Sequence, residues 1–253
     1  MCYSFKSKLS TQKKRYQHWK KVWKEEAEII DDKGKDLFFA DGFSHPTVLI
    51  YTTAKPFVPT PSLWGLIPSW ANDTKIGNQT LNARGETLFE KPAFRESAKS
   101  KRCLIYVDGF FEYHHFRGKT YPYFIFNKDE SPMVLAGLWS EWDDKATGTL
   151  LNTFSIVTTS GNPMMSRIHN NPKADGPRMP LILSEDVADE WLKPIHSKAD
   201  EQYIASIIQP YNQDKMDSYT VGTLKGKNAI GNNPESTHRV GYPELEFNQS
   251  SLF

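Results

Sequence analysis

The strongest constraint in this sequence is a series of short β-like runs through its middle: RCLIYVDGFFEY at 102–113, YPYFIFN at 121–127, MVLAGLWSEW at 133–142 and TFSIVTTS at 153–160. Each is rich in β-branched and aromatic residues, and the intervening stretches carry Gly, Lys and Asp, the composition of strands bounded by turns. Together with LFFA at 37–40 and TVLIYTT at 47–53 they predict a sheet, antiparallel and closed or nearly closed on itself.

Helical patterning is confined to the flanks. Tyr16, Trp19, Val22, Trp23 and Ala27 recur near helical spacing within 10–30, which predicts an amphipathic surface helix followed by a turn at DDKGKD, 31–36. Two more helices are expected at 185–194, entered through Ser184 as a cap, and at 198–209. Between the early strands and the central ones, AKPFVPTPSLWGLIPSWAND carries prolines at 56, 59, 61 and 68. Four prolines exclude a regular helix or a central strand and predict a structured loop. Its tryptophans, Trp64 and Trp70, must be either buried or held ready for a partner. The fold class is therefore α+β: a single domain with a mixed or antiparallel β-barrel-like core and flanking helices over residues 1–225. The turn-rich stretch 226–253 reads as a wrapping or partly disordered C-terminal tail.

Length and composition agree with one globular unit, 253 residues being within the range of a single barrel-based domain. A hydrophobic fraction of 38%, with 13% aromatic residues, supplies a core. The net charge of +1, from 31 basic against 30 acidic residues, excludes a strongly basic nucleic-acid coat but leaves room for a local basic groove. With only Cys2 and Cys103, no disulfide framework or four-cysteine zinc site can form, and a reducing cytoplasm is the expected location. No stretch approaches the roughly 18 apolar residues of a membrane span.

Chemistry concentrates in three places. Cys2 becomes the first residue once Met1 is removed, and it then offers an α-amine and a thiol on adjacent carbons, with reference pKa values near 8 and 8.5. An aldehyde condenses with such an amine to an imine, and the thiolate closes on it to give a thiazolidine, which an internal cysteine cannot do. In the second place, Asn82, Arg84 and Glu86 alternate along an expected extended segment, where Arg84 suits a phosphate, and Glu112 ends an apolar strand, where burial raises a carboxyl pKa and fits it for proton transfer. In the third, His169 lies on a loop between strands as a general acid or base. His114 and His115 have no Cys or carboxylate at ligand spacing, so no metal and no cofactor are expected.

In order and spacing, Met1-Cys2, WGLIPSW at 64–70, NARGET at 82–87, RCLIYVDGFFEY ending near Glu112, TFSIVTT at 153–159, and IH followed by RMPLIL at 178–183 resemble the SOS response-associated peptidase (SRAP) family over about residues 1–222. That resemblance implies a covalent link between Cys2 and the aldehyde of an abasic site in single-stranded DNA. It further implies that Asn82 holds the N-terminal cysteine or the sugar, Arg84 grips a flanking phosphate, Glu112 transfers protons, and His169 stabilises the imine or delivers a proton. Arg178 is the second phosphate candidate. Trp64, Trp70, Phe43 and Tyr113 are the aromatic candidates for contact with bases. Relatives commonly carry glycine and arginine where this chain has Tyr3 and Ser4, leaving Lys6 or Lys8 as replacements, a tryptophan where it has Tyr113, and a shorter loop than NNPKADGP after His169. Two rival readings are a cysteine peptidase that clips its own Met1 and a non-covalent single-strand binding module. A monomer is the default.

Overall fold

The computed structural model describes residues 2–19, 34–145 and 147–246. Its strands are β1 (Ser4–Ser7), β2 (Leu37–Asp41), β3 (Thr47–Thr52), β4 (Thr60–Trp64), β5 (Asn82–Arg84), β6 (Arg102–Val107), β7 (Gly109–Phe116), β8 (Lys119–Asn127), β9 (Met133–Asp144), β10 (Thr149–Ser160), β11 (Arg178–Pro180), β12 (Ile182–Leu183) and β13 (Met216–Thr220). Strands β4, β3, β6 and β9 are hydrogen-bonded in that order, and β10 pairs with both β9 and β4, so the five close into a barrel. Because β4 and β5 run parallel to β10, the barrel sheet is mixed rather than wholly antiparallel. A second, antiparallel sheet has the order β13-β8-β7-β1-β2.

The run RCLIYVDGFFEY, expected as one strand, is two. It breaks at Asp108, where the chain leaves the barrel as β6 and enters the second sheet as β7. Asp108 marks the corner: its Oδ2 accepts from Lys8 N at 2.7 Å and its Oδ1 from the Thr11 hydroxyl at 3.0 Å. Gly109 follows because a Cβ there would lie 2.5 Å from the Ile125 carbonyl oxygen. Every residue of β6 is buried. Cys103, Ile105 and Val107 join Cys2, Phe5 and Trp64 in one apolar cluster, whereas Leu104 and Tyr106 join Tyr51, Leu138, Ala188 and Trp191 in another. Burial on both faces is why the segment reads as an unbroken apolar run instead of an alternating one.

The proline-rich segment also departs from expectation, because Thr60–Trp64 forms β4 inside the barrel, with Pro61 opposite Leu49. The Leu49 N–H donates to Gln12 Oε1 at 3.1 Å, away from β4, so Leu49 and Pro61 form a non-hydrogen-bonded pair and the Pro61 nitrogen faces the other side. On that side β10 begins pairing only at Leu63, so the missing N–H removes no ladder bond.

Helices flank the barrel. The first expected helix is broken at Lys13 into α1 (Leu9–Gln12) and α2 (Lys14–Trp19), and its remainder and residues 31–33 of the expected turn lie outside the described residues. Beyond these come α3 (Arg95–Ser100), α4 (Pro163–Ile168), α5 (Glu185–Leu192), α6 (Lys198–Ser206) and α7 (Pro243–Glu246). Ser184 occupies the N-cap of α5 without a side-chain cap bond, whereas α6 opens with a capping box of Ser197 and Asp200. Arg102, fully buried at the start of β6, donates to the carbonyl oxygens of Ala98 and Lys99 at the end of α3 and of Trp191 and Lys193 at the end of α5. One cation thus serves two helix C-termini, the ends where the backbone dipoles favour positive charge. Among the described residues no helix is long and apolar enough to cross a membrane.

Candidate functional site at the amino terminus

Strand β1 lies between β7 and β2, with Ser4 opposite both Phe111 and Asp41. Carried past Ser4, this register sets Tyr3 and Cys2 alongside Glu112 and Tyr113. Cys2 is fully buried, and its Sγ donates to the Ser4 carbonyl at 3.6 Å. Burial, with the Glu112 carboxyl adding to it, pushes the Cys2 thiol up to about 12. The thiol is therefore held protonated, and its use as a nucleophile requires a neighbouring base. Glu112 is 6% exposed, and its Oε1 accepts from Tyr113 N at 3.1 Å. Burial raises its pKa above the ordinary carboxyl value, which favours its protonated form more than solvent would.

Glu112, Tyr113 and His169 line one cavity of about 430 Å³, together with Tyr3, His115 and Lys225. His169 follows the last turn of α4, and its Nδ1 accepts the backbone N–H of Arg178 at 2.8 Å. A ring that accepts at Nδ1 carries its proton on Nε2 when neutral. Burial above all lowers the His169 pKa to about 4, so at pH 7 the side chain is a neutral donor rather than an imidazolium. The longer loop after His169 therefore does not displace the ring from the cavity.

Asn82 is held by the parallel pairing of β5 with β10, opposite Ile156. Its neighbours Leu81 and Ile156 share a core cluster with Cys2. Both amide atoms of Asn82, Oδ1 and Nδ2, are shielded from solvent with no hydrogen-bond partner among the described residues. A buried amide with both ends unsatisfied costs stability and is ready for a ligand. Arg84, two residues on, has a 44% exposed side chain and an ion pair at 2.7 Å to Asp175 on the loop between α4 and β11. It also lies within electrostatic reach of the Tyr3 phenol.

Other expected site residues are placed differently. Glu86 does not continue the alternation of Asn82 and Arg84, because β5 ends at Arg84 and Glu86 sits in the 3-10 turn Gly85–Thr87. There it holds Arg178 in a bidentate pair, Nη1 to Oε1 at 2.6 Å and Nη2 to Oε2 at 2.8 Å, with Nη2 also donating to the Thr158 carbonyl at 2.9 Å. Arg178, only 10% exposed at its side chain, is thus committed to Glu86 and Thr158 and does not present a guanidinium to a phosphate. Trp64 is a core residue: fully buried, stacked on Phe5 at 4.8 Å and donating Nε1–H to the Leu81 carbonyl at 2.8 Å, it has no face for a base. Trp70 is 52% exposed but is not among the residues lining the cavity. Phe43 is 51% exposed and packs against Tyr3 at 5.2 Å, next to the cavity. Lys6 donates to the Thr237 hydroxyl at 2.8 Å and lies over the rings of Phe38 and Phe124, and Lys8 is absent from the lining, so neither replaces an arginine at this site. Sequence reasoning missed Lys225, which reaches the cavity from the loop after β13 through the pairing of β13 with β8. Among the described residues no group of three or more His, Cys, Asp or Glu is placed to hold a metal ion.

A mixed barrel that buries a cysteine just ahead of its first strand, within electrostatic reach of a buried carboxyl that shares a cavity with an imidazole, defines a class of barrel proteins with an amino-terminal cysteine site. Comparison gives the family. The profile described as SOS response associated peptidase (SRAP) matches residues 1–227, and the chain belongs to that family. It is 43% identical over 162 residues, 64% of this chain and 68% of the relative, to abasic site processing protein YoqW of Bacillus subtilis (strain 168). It is 32% identical over 151 residues, 51% of this chain and 43% of the relative, to abasic site processing protein HMCES of Xenopus tropicalis. A solved structure of a protein from Bacteroides thetaiotaomicron superposes with a TM-score of 0.81 at 33% identity, covering 95% of this chain and 100% of that one.

Proposed function

We propose that this protein binds single-stranded DNA as a monomer and captures abasic sites covalently through Cys2 after Met1 is removed. The observation that carries the reading is that buried Cys2 lies within electrostatic reach of Glu112, which lines one cavity with His169, in a chain whose relatives are named for abasic site processing. The Cys2 amine adds to the C1′ aldehyde of the ring-opened sugar, and the carbinolamine loses water to give an imine. Glu112 donates the proton that lets the hydroxyl leave, then accepts the thiol proton as Sγ adds to the imine carbon, and the ring nitrogen is protonated in turn. The thiazolidine forms with net loss of one water. The neutral His169 ring donates its Nε2 proton to the sugar oxygen, and Asn82 supplies the amide that pairs with the sugar or the cysteine nitrogen. Arg84 exchanges Asp175 for a backbone phosphate, a stronger bidentate partner.

If the imine instead loses its 3′ phosphate by β-elimination before the ring closes, the same site acts as a lyase on the strand. The test is a denaturing gel of mature protein mixed with single-stranded DNA carrying one abasic site. Wild type should give a heat-stable adduct and Cys2→Ala none. No adduct from wild type, or an equal yield from Cys2→Ala, refutes the covalent reading, and binding without an adduct would favour the non-covalent module.

A further inference from the structure

Lys225 is a cavity-lining cation that the proposed chemistry does not use. It lines the same cavity as Glu112, Tyr113 and His169. Its Nζ sits 5.8 Å from the ring centroid of Phe43 and 5.8 Å from that of Tyr113, where the negative ring faces hold a cation in place. Its carboxylate neighbour, Asp41 Oδ2, is 3.9 Å away, beyond hydrogen-bond distance, and the side chain remains 45% exposed. The contrast with Arg178 is direct, since that guanidinium has two short bonds to one carboxylate. The loop that carries Lys225 is ordered by its own backbone, with Ile230 N donating to the Thr223 carbonyl at 2.9 Å and Ala229 N to the Gly226 carbonyl at 3.1 Å. An ammonium so placed makes only a long ion pair with Asp41, lies within electrostatic reach of the Glu112 carboxyl, and keeps its donors for a closer anion.

Two cations therefore lie near the reacting residues, each anchored to a different segment. Arg84 is tied to the loop between α4 and β11. Lys225 is tied to the corner after β2, and Tyr3 and Phe43, in ring contact at 5.2 Å, lie between the two. A strand whose damaged sugar enters between Cys2 and His169 runs out of the site in both directions, and each exit carries a phosphodiester.

Resting on the single-strand reading above, we propose that Lys225 is a second phosphate-binding residue for the captured strand, anchored to a different segment from Arg84, with Phe43 and Tyr113 as its seat. Each phosphate neutralised on a single strand contributes about 0.7 to the slope of log affinity against log salt. The experiment measures non-covalent binding of wild type, Lys225→Met and Lys225→Arg to a single-stranded oligonucleotide carrying one tetrahydrofuran, which lacks the aldehyde, between about 50 mM and 200 mM salt. Methionine keeps the apolar stem on the two rings and removes the charge. Lys225→Met should bind more weakly at low salt with a slope shallower by about 0.7, and Lys225→Arg should restore the slope. A Lys225→Met protein with wild-type affinity and slope overturns the assignment while the single-strand reading stands. Wild type that does not bind the oligonucleotide overturns that reading as well.

Discussion

Glu86 offers the most quantitative test of how the site is held. Replacing it with alanine removes a carboxylate that is 48% exposed and leaves the Arg178 guanidinium, 10% exposed, with only Thr158 as acceptor among the described contacts. A solvent-screened surface pair is worth under about 1 kcal/mol, and stripping one partner from a fully buried pair costs about 3–5 kcal/mol. Half-exposure places this one between them, at about 2 kcal/mol, or roughly 4–8 °C of melting temperature for a chain of this size. The pH dependence follows from the carboxyl being held below its ordinary value of 4.5, first by its hydrogen bonds to Arg178. A depressed carboxyl stabilises the fold above its unfolded pKa and loses that contribution as pH falls through the folded value. The Glu86→Ala deficit should thus be full at neutral pH and shrink in acid. Because the Arg178 N–H fixes the His169 ring, the adduct-forming rate should fall along with the melting temperature. Adding Arg178→Met should recover much of the lost melting temperature, since it removes the unpaired charge. Calorimetry and gel-based rates on the three proteins decide the matter. A Glu86→Ala protein that melts like wild type, or a double variant no more stable than the single one, refutes the reasoning.

Three further outcomes are expected. Trp64→Ala should cost about 3–5 kcal/mol in urea unfolding, as a fully buried indole, whereas Phe43→Ala should leave stability nearly unchanged and weaken single-strand binding by up to about 1–3 kcal/mol; a surface-like cost at Trp64 would contradict its core assignment. His169, whose folded pKa of about 4 lies below the unfolded value of 6.5, binds its proton later in the native state, so stability falls as pH drops from 6.5 towards 4. His169→Gln should flatten that acid limb in a series of melting curves, and an unchanged limb would show that the ring is not held neutral.

The sequence disclosed the barrel strands well because residues buried on both faces, as in Arg102–Val107, leave an unbroken apolar signature. It hid the break at Asp108 because both halves of the run are strands and only their sheets differ. Pro61 argued against a barrel strand, and the argument failed because a proline's cost depends on which side its nitrogen faces, which only the register shows. Cys2, Glu112 and His169 stood out first through their chemistry and place in the sequence, and the family motifs then gave each a role. Trp64 and Phe43 were indistinguishable as aromatic candidates, since a single sequence does not say which ring meets the core. Lys225 carried no local signal, for its place depends on β13 pairing with β8, about 90 residues earlier in the chain.

The pairing of β1 between β7 and β2 has a consequence along the chain. One neighbour of β1, the strand β2, ends at Asp41, but the other, β7, pairs with it only through residues near 111. Cys2, which precedes β1, is therefore flanked on both sides only once those distant residues have paired. Enclosure of Cys2 thus ties the start of the sequence to a strand that comes much later in it.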